Sequence, residues 1–553
     1  LGICYGMQLM SACHGGAVER KARREDGTFA INLEPGCALF AGLGDTTTVL
    51  LTHGDSLGAL PAGFRVVSNS GEIVAAIENA ERKMYGVQFH PEVDLSVDGI
   101  AMLSNFLYGV CGLSGSYTMA SRETQAIEYI KQAVGDKQVL VLVSGGVDSS
   151  VCAALLNKAL GPSRVIALHI DHGFMRKEES SSVAKALTAL GLDLEVLDAS
   201  KQFAQATTTI EGVRTPPLAQ VASPEMKRKI IGDTFMVVTQ EMVARRGLDA
   251  NNVYLAQGTL RPDLIESASS LISSNAECIK THHNDTQLVR QLRDEGRVVE
   301  PLRDYHKDEV RALGRDLGLP GHLVDRQPFP GPGLAIRLLC ALEPFRTPER
   351  EEVAAQLQAQ CDMRPELRLS PALLPVRTVG VQGDGRSYSY LAALSSAGCV
   401  DKHWEALLEL AREIPCHVHQ VNRVIFVMGE AIKEPPNTIT PTLLDAAPVE
   451  QLRAADAIVT EVLTARCKQQ LRQLAQVPVV LFPVGFGVAG GRSIGIRAFI
   501  TRDFMTGTPA LPGRDLPLEV LREIQSRIIA EVPGIVRVAL DITSKPPATT
   551  EWE

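Results

Sequence analysis

Long apolar runs are missing from this sequence. No stretch approaches the ~18 residues of a membrane span, so nothing in it reads as a transmembrane helix. The opening LGICYGMQLM lacks the basic n-region of a secretory signal. It also lacks an initiator Met, and a true start upstream is the expectation. The 11 cysteines are an odd number and none forms a C-x-x-C pair, which argues against a disulfide framework or a zinc knuckle. Reduced thiols in the cytosol are expected, most of them small buried apolar groups. Positive charge is short as well. Lys plus Arg is 55 against 64 for Asp plus Glu, a net charge of -9, and coating of nucleic acid needs a basic face. An acidic chain still admits an anionic small molecule. Internal repeats and low-complexity tracts are also missing.

What is present is an ordinary globular composition, 45% hydrophobic over 553 residues, a length that predicts about three to five domains. The run VLVLV (139–143), a turn, the helical pattern SVCAALLNKAL (150–160) and VIALHI (165–170) follow in the order strand, helix, strand. That order predicts an α/β fold with a parallel sheet. Two stretches rich in small, Gly or Pro residues break the pattern, CGLSGSYTMAS (111–121) and RQPFPGPGLAIR (326–337). They divide the chain into 1–112, 113–327 and 328–553. The last part holds the strand candidates LLPVRTVGVQG, NRVIFVMG, VPVVLFPVG and SIGIRAFI. Its tail, TSKPPATTEWE (543–553), reads by itself as a solvated, frayed terminus.

Gly2-Ile3-Cys4-Tyr5-Gly6 has an apolar entry, small residues on both sides and a helical pattern after it. This describes a nucleophile elbow. At a helix N-terminus the free N–H groups favour thiolate over thiol, and the Tyr5 N–H is placed to stabilise an oxyanion. His90 and Glu92, in FHPEV, share one face if extended. Glu92 then orients His90, and His90 exchanges a proton with Cys4. GICYGMQ with YGVQFHPE resembles the class I glutamine amidotransferase family. The resemblance implies Cys4 as nucleophile, His90 and Glu92 completing the triad, and hydrolysis of glutamine through a thioester. THGDS (52–56) resembles the glutamine-pocket segment of that family. Members have strands and a second oxyanion loop before the elbow. This chain, expected to lack them, is expected to use ammonium well and glutamine poorly.

Residues 144–150 read Ser144, Gly145, Gly146, Val147, Asp148, Ser149 and Ser150, after an apolar strand and before a helix. The glycines let N–H groups approach phosphate, the hydroxyls add donors, and the helix dipole favours an anion. Asp148 repels phosphate, so its sense is as a ligand of Mg²⁺. The loop lacks the lysine of a Walker A motif. SGGVDSS resembles instead the PP-loop of the ATP-pyrophosphatase family, which implies ATP as co-substrate. Asp171, at the end of the strand in HIDHGF, is expected near the nucleotide by topology.

The motifs KRKIIGDTF, QGTLRPDLIES, IKTHHND, PFPGPGLAIR, VGVQGDGRSYSY, DFMTG and TSKPPATTEWE together resemble the GMP synthetase family over nearly the whole chain. The resemblance implies a partial class I glutaminase (1–112), an ATP-pyrophosphatase domain (113–327) and an α+β substrate-binding and dimerisation region (328–553). It implies adenylation of xanthosine monophosphate (XMP), then amination to GMP. It assigns XMP contacts to Arg228, Asp384, Gln476, Lys545 and Glu551, orders the tail over the substrate, and makes Lys280 and His282 part of a lid. It implies a cytosolic monomer or homodimer that requires neither nucleic acid nor a membrane. Two other readings are another PP-loop ligase, such as an NAD synthetase, and a non-catalytic nucleotide-binding descendant.

Overall fold

The structure is a computed structural model. It describes residues 1–93, 95–115, 119–246, 253–261, 295–382, 385–398, 403–501 and 506–553. The chain divides into two compact units, Leu1–Thr118 and Met119–Glu553.

In the first unit strand β1 Gly2–Ile3 leads into helix α1 Tyr5–Cys13, and the further strands are β2 Val18–Leu33, β3 Thr46–Leu57, β4 Arg65–Ser70, β5 Ile73–Asn79 and β6 Met84–Val87. They form one sheet in the order β1-β6-β5-β4-β2-β3. β1 runs parallel to β6, and every other pairing is antiparallel. The parallel character expected of this part is confined to the strand that enters the elbow. From β3 to β6 the strands are joined by connections too short for a parallel crossover. Along β3, Thr47, Val49, Leu51 and His53 are buried at every second position, so a polar His53 shares the inward face.

The second unit opens with helix α2 Met119–Val134, then β7 Gln138–Leu142, α3 Val147–Leu160, β8 Val165–Asp171, α4 Glu179–Thr188 and β9 Leu194–Asp198. After the small ribbon β10 Thr209–Ile210 and β11 Val213–Arg214 comes helix α5 Pro224–Arg245, followed by β12 Val253–Ala256 and β13 Val298–Val299. Five strands make an all-parallel sheet in the order β13-β12-β7-β8-β9. Val139 and Val141 of β7 pack into one core and Leu140 into another. Burial on both faces explains why the run VLVLV shows no polar alternation. Strand order runs both ways from β7, and ligands bind beyond the carboxyl end of such a strand.

The chain then builds a mixed sheet from β14 Leu369–Gln382, β15 Gly385–Ser396, β16 Val421–Val427, β17 Val479–Phe482, β18 Arg492–Ile496 and, after the ribbon β19 Phe499–Ile500 with β20 Thr508–Pro509, β21 Ile535–Asp541. Its order is β14-β15-β16-β21-β18-β17. One continuous apolar cluster joins Leu140 and Leu168 to Leu407 and Ile494. The tail is not frayed. Trp552 is fully buried, a Cβ on Gly495 would stand 2.4 Å from its ring, and the Val379 N–H donates to the Trp552 carbonyl at 2.9 Å. The sequence reading of a frayed terminus misses this because the tail's partners lie on β14 and β16, far away along the chain. Among the described residues, no helix is long and apolar enough to cross a membrane.

Candidate functional site

Cys4 occupies the sharp turn between β1 and helix Tyr5–Cys13, with φ 49°. That is a strained backbone for a residue with a Cβ, and it persists only where the surroundings enforce it. The Cys4 N–H donates to the Val87 carbonyl at 2.7 Å, and the Cys4 carbonyl accepts from Met7 at 3.0 Å. Two glycines make the close approach of helix and sheet feasible. A Cβ on Gly2 would stand 2.6 Å from the Gly6 carbonyl oxygen, and one on Gly86 2.7 Å from Met7 Cγ.

Beyond β6 the chain carries His90 to the thiol. His90 Nδ1 lies 2.7 Å from Glu92 Oε1, which leaves the other ring nitrogen for Cys4. The hydrogen bond with Cys4, and next that with Glu92, push His90 up to about 10. The hydrogen bond from His90 holds the Cys4 thiol below its ordinary value against the opposing effect of burial, and the Tyr5 N–H acts in the same direction. Thiolate and imidazolium are therefore the favoured pair, the charge state a sulfur nucleophile needs. Alkylation of Cys4 by iodoacetamide, followed by peptide mass mapping, is expected to proceed well below pH ~8.5. His90→Asn should raise the midpoint by about one pH unit or more; an unmoved midpoint would show that the two groups are not paired. Of the THGDS segment, His53 turns inward, and Asp55 offers its carbonyl oxygen to Gln8 Nε2 at 2.9 Å.

The loop after β7 is braced by its own side chains. Gly145 has φ 83°, and a Cβ there would stand 2.7 Å from Val183 Cγ2, so both backbone and space demand glycine. Ser144 Oγ lies 3.1 Å from Ser149 Oγ and accepts from the Gly146 N–H at 3.3 Å. Val147 packs into the core, and Ser150 is buried with an unpartnered Oγ. A cleft of about 380 Å³ opens on this loop, lined among others by Ser144, Asp148, Gln257, Lys307 and Phe329. Asp148 Oδ2 accepts from Lys307 Nζ at 2.5 Å, while its Oδ1 is buried with no partner. Magnesium is commonly held by one or two carboxylates together with phosphate oxygens, and an unpartnered buried oxygen at the phosphate loop fits that use. No group of three or more His, Cys, Asp or Glu forms a protein-only cage among the described residues.

Asp171 lies at the end of β8, but its oxygens brace the turn, Oδ1 accepting from the Gly173 N–H at 2.9 Å and Oδ2 from Ser180 Oγ at 2.8 Å. Its neighbour His172 is among the residues that line the cleft; burial pushes it down to about 4 and so keeps it neutral at pH 7.

Of the residues assigned to XMP, Lys545 and Glu551 belong to the tail and Arg228 touches it. Arg228, on α5, donates through Nη2 to the main-chain oxygen of Glu553. Glu551 receives Arg337 Nη2 and Nε, each at 3.2 Å. Lys545 bridges to Gly507 beside the β19–β20 ribbon, and Gln476 bridges to Phe499 of the same ribbon, its Oε1 buried without a partner. Asp384, Lys280 and His282 lie outside the described residues.

Family models match along the whole order: glutamine amidotransferase class-I over residues 1–110, NAD synthase over 119–230 and the GMP synthase C-terminal domain over 464–552. The chain is 52% identical to the GMP synthase [glutamine-hydrolyzing] of Dictyostelium discoideum, with all of this chain and 82% of that protein covered. It is 46% identical to the probable GMP synthase of Caenorhabditis elegans with the same coverage. It is 40% identical to that of Lactococcus lactis, over 79% of this chain and 84% of the other. The chain belongs to the glutamine-hydrolysing GMP synthase family.

Set in this family, the structure adds residues that sequence reasoning did not single out. Gln88 Nε2 lies 3.6 Å from Cys4 Sγ, and Gln8 joins it; both stand inside motifs that were read for other members. Arg337, buried against Glu551, likewise stands inside PFPGPGLAIR. Lys307 carried no signal at all, since nothing local marks a partner 159 residues from Asp148.

Proposed function

We propose that this chain is a GMP synthase, converting XMP to GMP with ATP, released as AMP and pyrophosphate, and with ammonia drawn from glutamine. The observation that carries the reading is one chain holding both a Cys4–His90–Glu92 triad on a strained elbow and a PP-loop cleft in which Asp148 keeps a buried, unpartnered oxygen. The names of relatives up to 52% identical support it. We divide the work among residues 1–112 as glutaminase, 113–327 as ATP-pyrophosphatase and 328–553 as the XMP-binding and dimerisation region.

In this reading Cys4 attacks the glutamine amide, His90 hands its proton to the leaving ammonia, Glu92 holds the imidazole, and the Tyr5 N–H faces the developing oxyanion. The N–H groups and hydroxyls of Ser144–Ser150 bind the ATP phosphates, with Asp171 bracing the neighbouring turn. Asp148 would hold Mg²⁺, which when bound supplies positive charge against the phosphates. Adenylation of the XMP oxygen makes a leaving group that ammonia displaces. Arg228 and Lys545 supply positive charge for the XMP phosphate, and Asp384, Gln476 and Glu551 supply hydrogen-bonding groups for the rest of the nucleotide. Cytosolic residence, as a monomer or homodimer, belongs to the same proposal.

The test is an assay of XMP and ATP with glutamine and, separately, with ammonium, counting GMP, AMP and pyrophosphate. ATP binding without pyrophosphate release would mark a non-catalytic descendant. Amination of a nicotinate dinucleotide instead of XMP would mark an NAD synthetase. Arg228→Ala should raise KM for XMP far more than KM for ATP, by a charge-assisted hydrogen bond of roughly 1.5–3 kcal/mol. Equal rises in both would trace to its bond with the tail instead.

A further inference from the structure

Behind the thiol lies a polar group pair that the proposed hydrolysis leaves idle. Glu25 and His53 are 1% and 7% exposed and stand directly opposite each other where β2 pairs with β3, just past a register shift. A carboxylate buried in this sheet needs partners. Glu25 has two, His53 Nε2 at 3.0 Å from Oε2 and Ser70 Oγ donating to Oε1 at 2.7 Å. The other ring nitrogen, His53 Nδ1, lies 3.0 Å from the Asp55 carbonyl oxygen. A carbonyl only accepts, so this contact is a hydrogen bond when Nδ1 carries the proton; Ser56 Oγ lies 3.3 Å from the same nitrogen.

That same carbonyl also accepts from Gln8 Nε2, whose second hydrogen goes to Gln88 Oε1 at 3.2 Å. An amide offers oxygen at one corner and nitrogen at the other. With its oxygen taken by Gln8, Gln88 turns its nitrogen to Cys4 Sγ at 3.6 Å. The chain of hydrogen bonds therefore has a polarity, fixed at the Asp55 carbonyl, which can only accept, and delivered as an N–H at the sulfur; His53 bears on it by holding that carbonyl in place. His90 approaches the same sulfur independently, and a donor to sulfur favours the thiolate.

We propose that Glu25 and His53 are positioning residues for the Cys4 nucleophile, acting through the Asp55 carbonyl, Gln8 and Gln88. This rests on the reading of Cys4 as the glutaminase nucleophile. The bland alternative is a buried pair that merely satisfies itself. The two differ in whether the effect travels through Gln88.

The experiment compares Glu25→Gln, Gln88→Ala and the double variant of the full chain. It reads the pH midpoint of Cys4 alkylation by iodoacetamide, from the mass-mapped Cys4 peptide, together with kcat and KM for glutamine. Glu25→Gln is expected to raise the alkylation midpoint and lower kcat for glutamine about 10-fold or more, the scale of a misplaced reacting group, with KM changing less. In the Gln88→Ala background it should do nothing further. An unmoved midpoint overturns the proposal, as do effects that simply add in the double variant. If Glu25→Gln fails to fold, Ser70→Ala, which frees one Glu25 oxygen, is read the same way and must show the same dependence on Gln88. Glutamine hydrolysis surviving Cys4→Ala would sink the nucleophile reading itself. An inactive Cys4→Ala beside an unmoved Glu25→Gln would sink only the positioning role.

Discussion

Cys4→Ala is expected to abolish GMP formation from glutamine and leave ammonium-dependent formation largely intact. In the proposed thioester route the triad offers no other nucleophile, since His90 and Glu92 would only move and hold protons. Loss of the nucleophile in a triad enzyme costs on the order of 10⁵-fold or more in kcat. The substitution should be quiet structurally. Alanine meets the same penalty at φ 49° that cysteine already bears, and the main-chain bonds that enforce the turn, from Cys4 N–H to Val87 and from Met7 N–H to Cys4, do not involve the sulfur. Measurement of GMP with saturating ammonium in place of glutamine separates the two halves of the reaction. Ammonium-dependent synthesis lost in a folded variant would show that Cys4 serves something other than glutamine hydrolysis.

The second large effect is expected at Asp148. Asp148→Asn preserves shape but removes the charge that a magnesium ion at the phosphate loop would use. Pyrophosphate release should fall on the order of 10²-fold or more. The structure adds a control that the sequence does not suggest. Oδ2 of Asp148 receives Lys307 at 2.5 Å, so the substitution also breaks an ion pair. If the loss comes from that pair, Lys307→Met will match it. If it comes from metal and phosphate binding through the buried Oδ1, Asp148→Asn will be the worse variant, and raising the magnesium concentration will change its rate where it leaves Lys307→Met unaffected. Near-normal pyrophosphate release by Asp148→Asn would end the metal role.

Much of each site was legible because its chemistry is local. A residue in a left-handed turn between small neighbours, or a glycine pair between an apolar strand and a helix, is written in five to seven consecutive positions. The structure places Cys4 and Gly145 in those backbone conformations. His90 and Glu92 pair by spacing on the condition of an extended segment; the structure instead puts Pro91 and Glu92 in a turn beyond β6, and the two side chains still stand 2.7 Å apart. Asp171 shows the limit of such reasoning. Topology put it at the correct end of the correct strand, yet which way a strand-end carboxylate turns depends on neighbours such as Gly173 and Ser180, and here it braces the turn.

Sequence by itself determined the elbow, the phosphate loop, the parallel β7–β8 unit and the acidic character of the chain, because glycine conformation, apolar periodicity and charge are properties of short segments. Only the tertiary structure decided the partners. Glu25 meets His53 because a register shift in β2 slides it opposite β3. Lys307 meets Asp148 across 159 residues. The segment ending in Trp552 and Glu553 is buried, with Lys227 Nζ 2.5 Å from Glu553 Oε2, although its composition alone reads as solvated. Contacts of that kind arise from strand register and from the packing of distant elements onto one core, and neither is encoded in any window short enough to read along the chain.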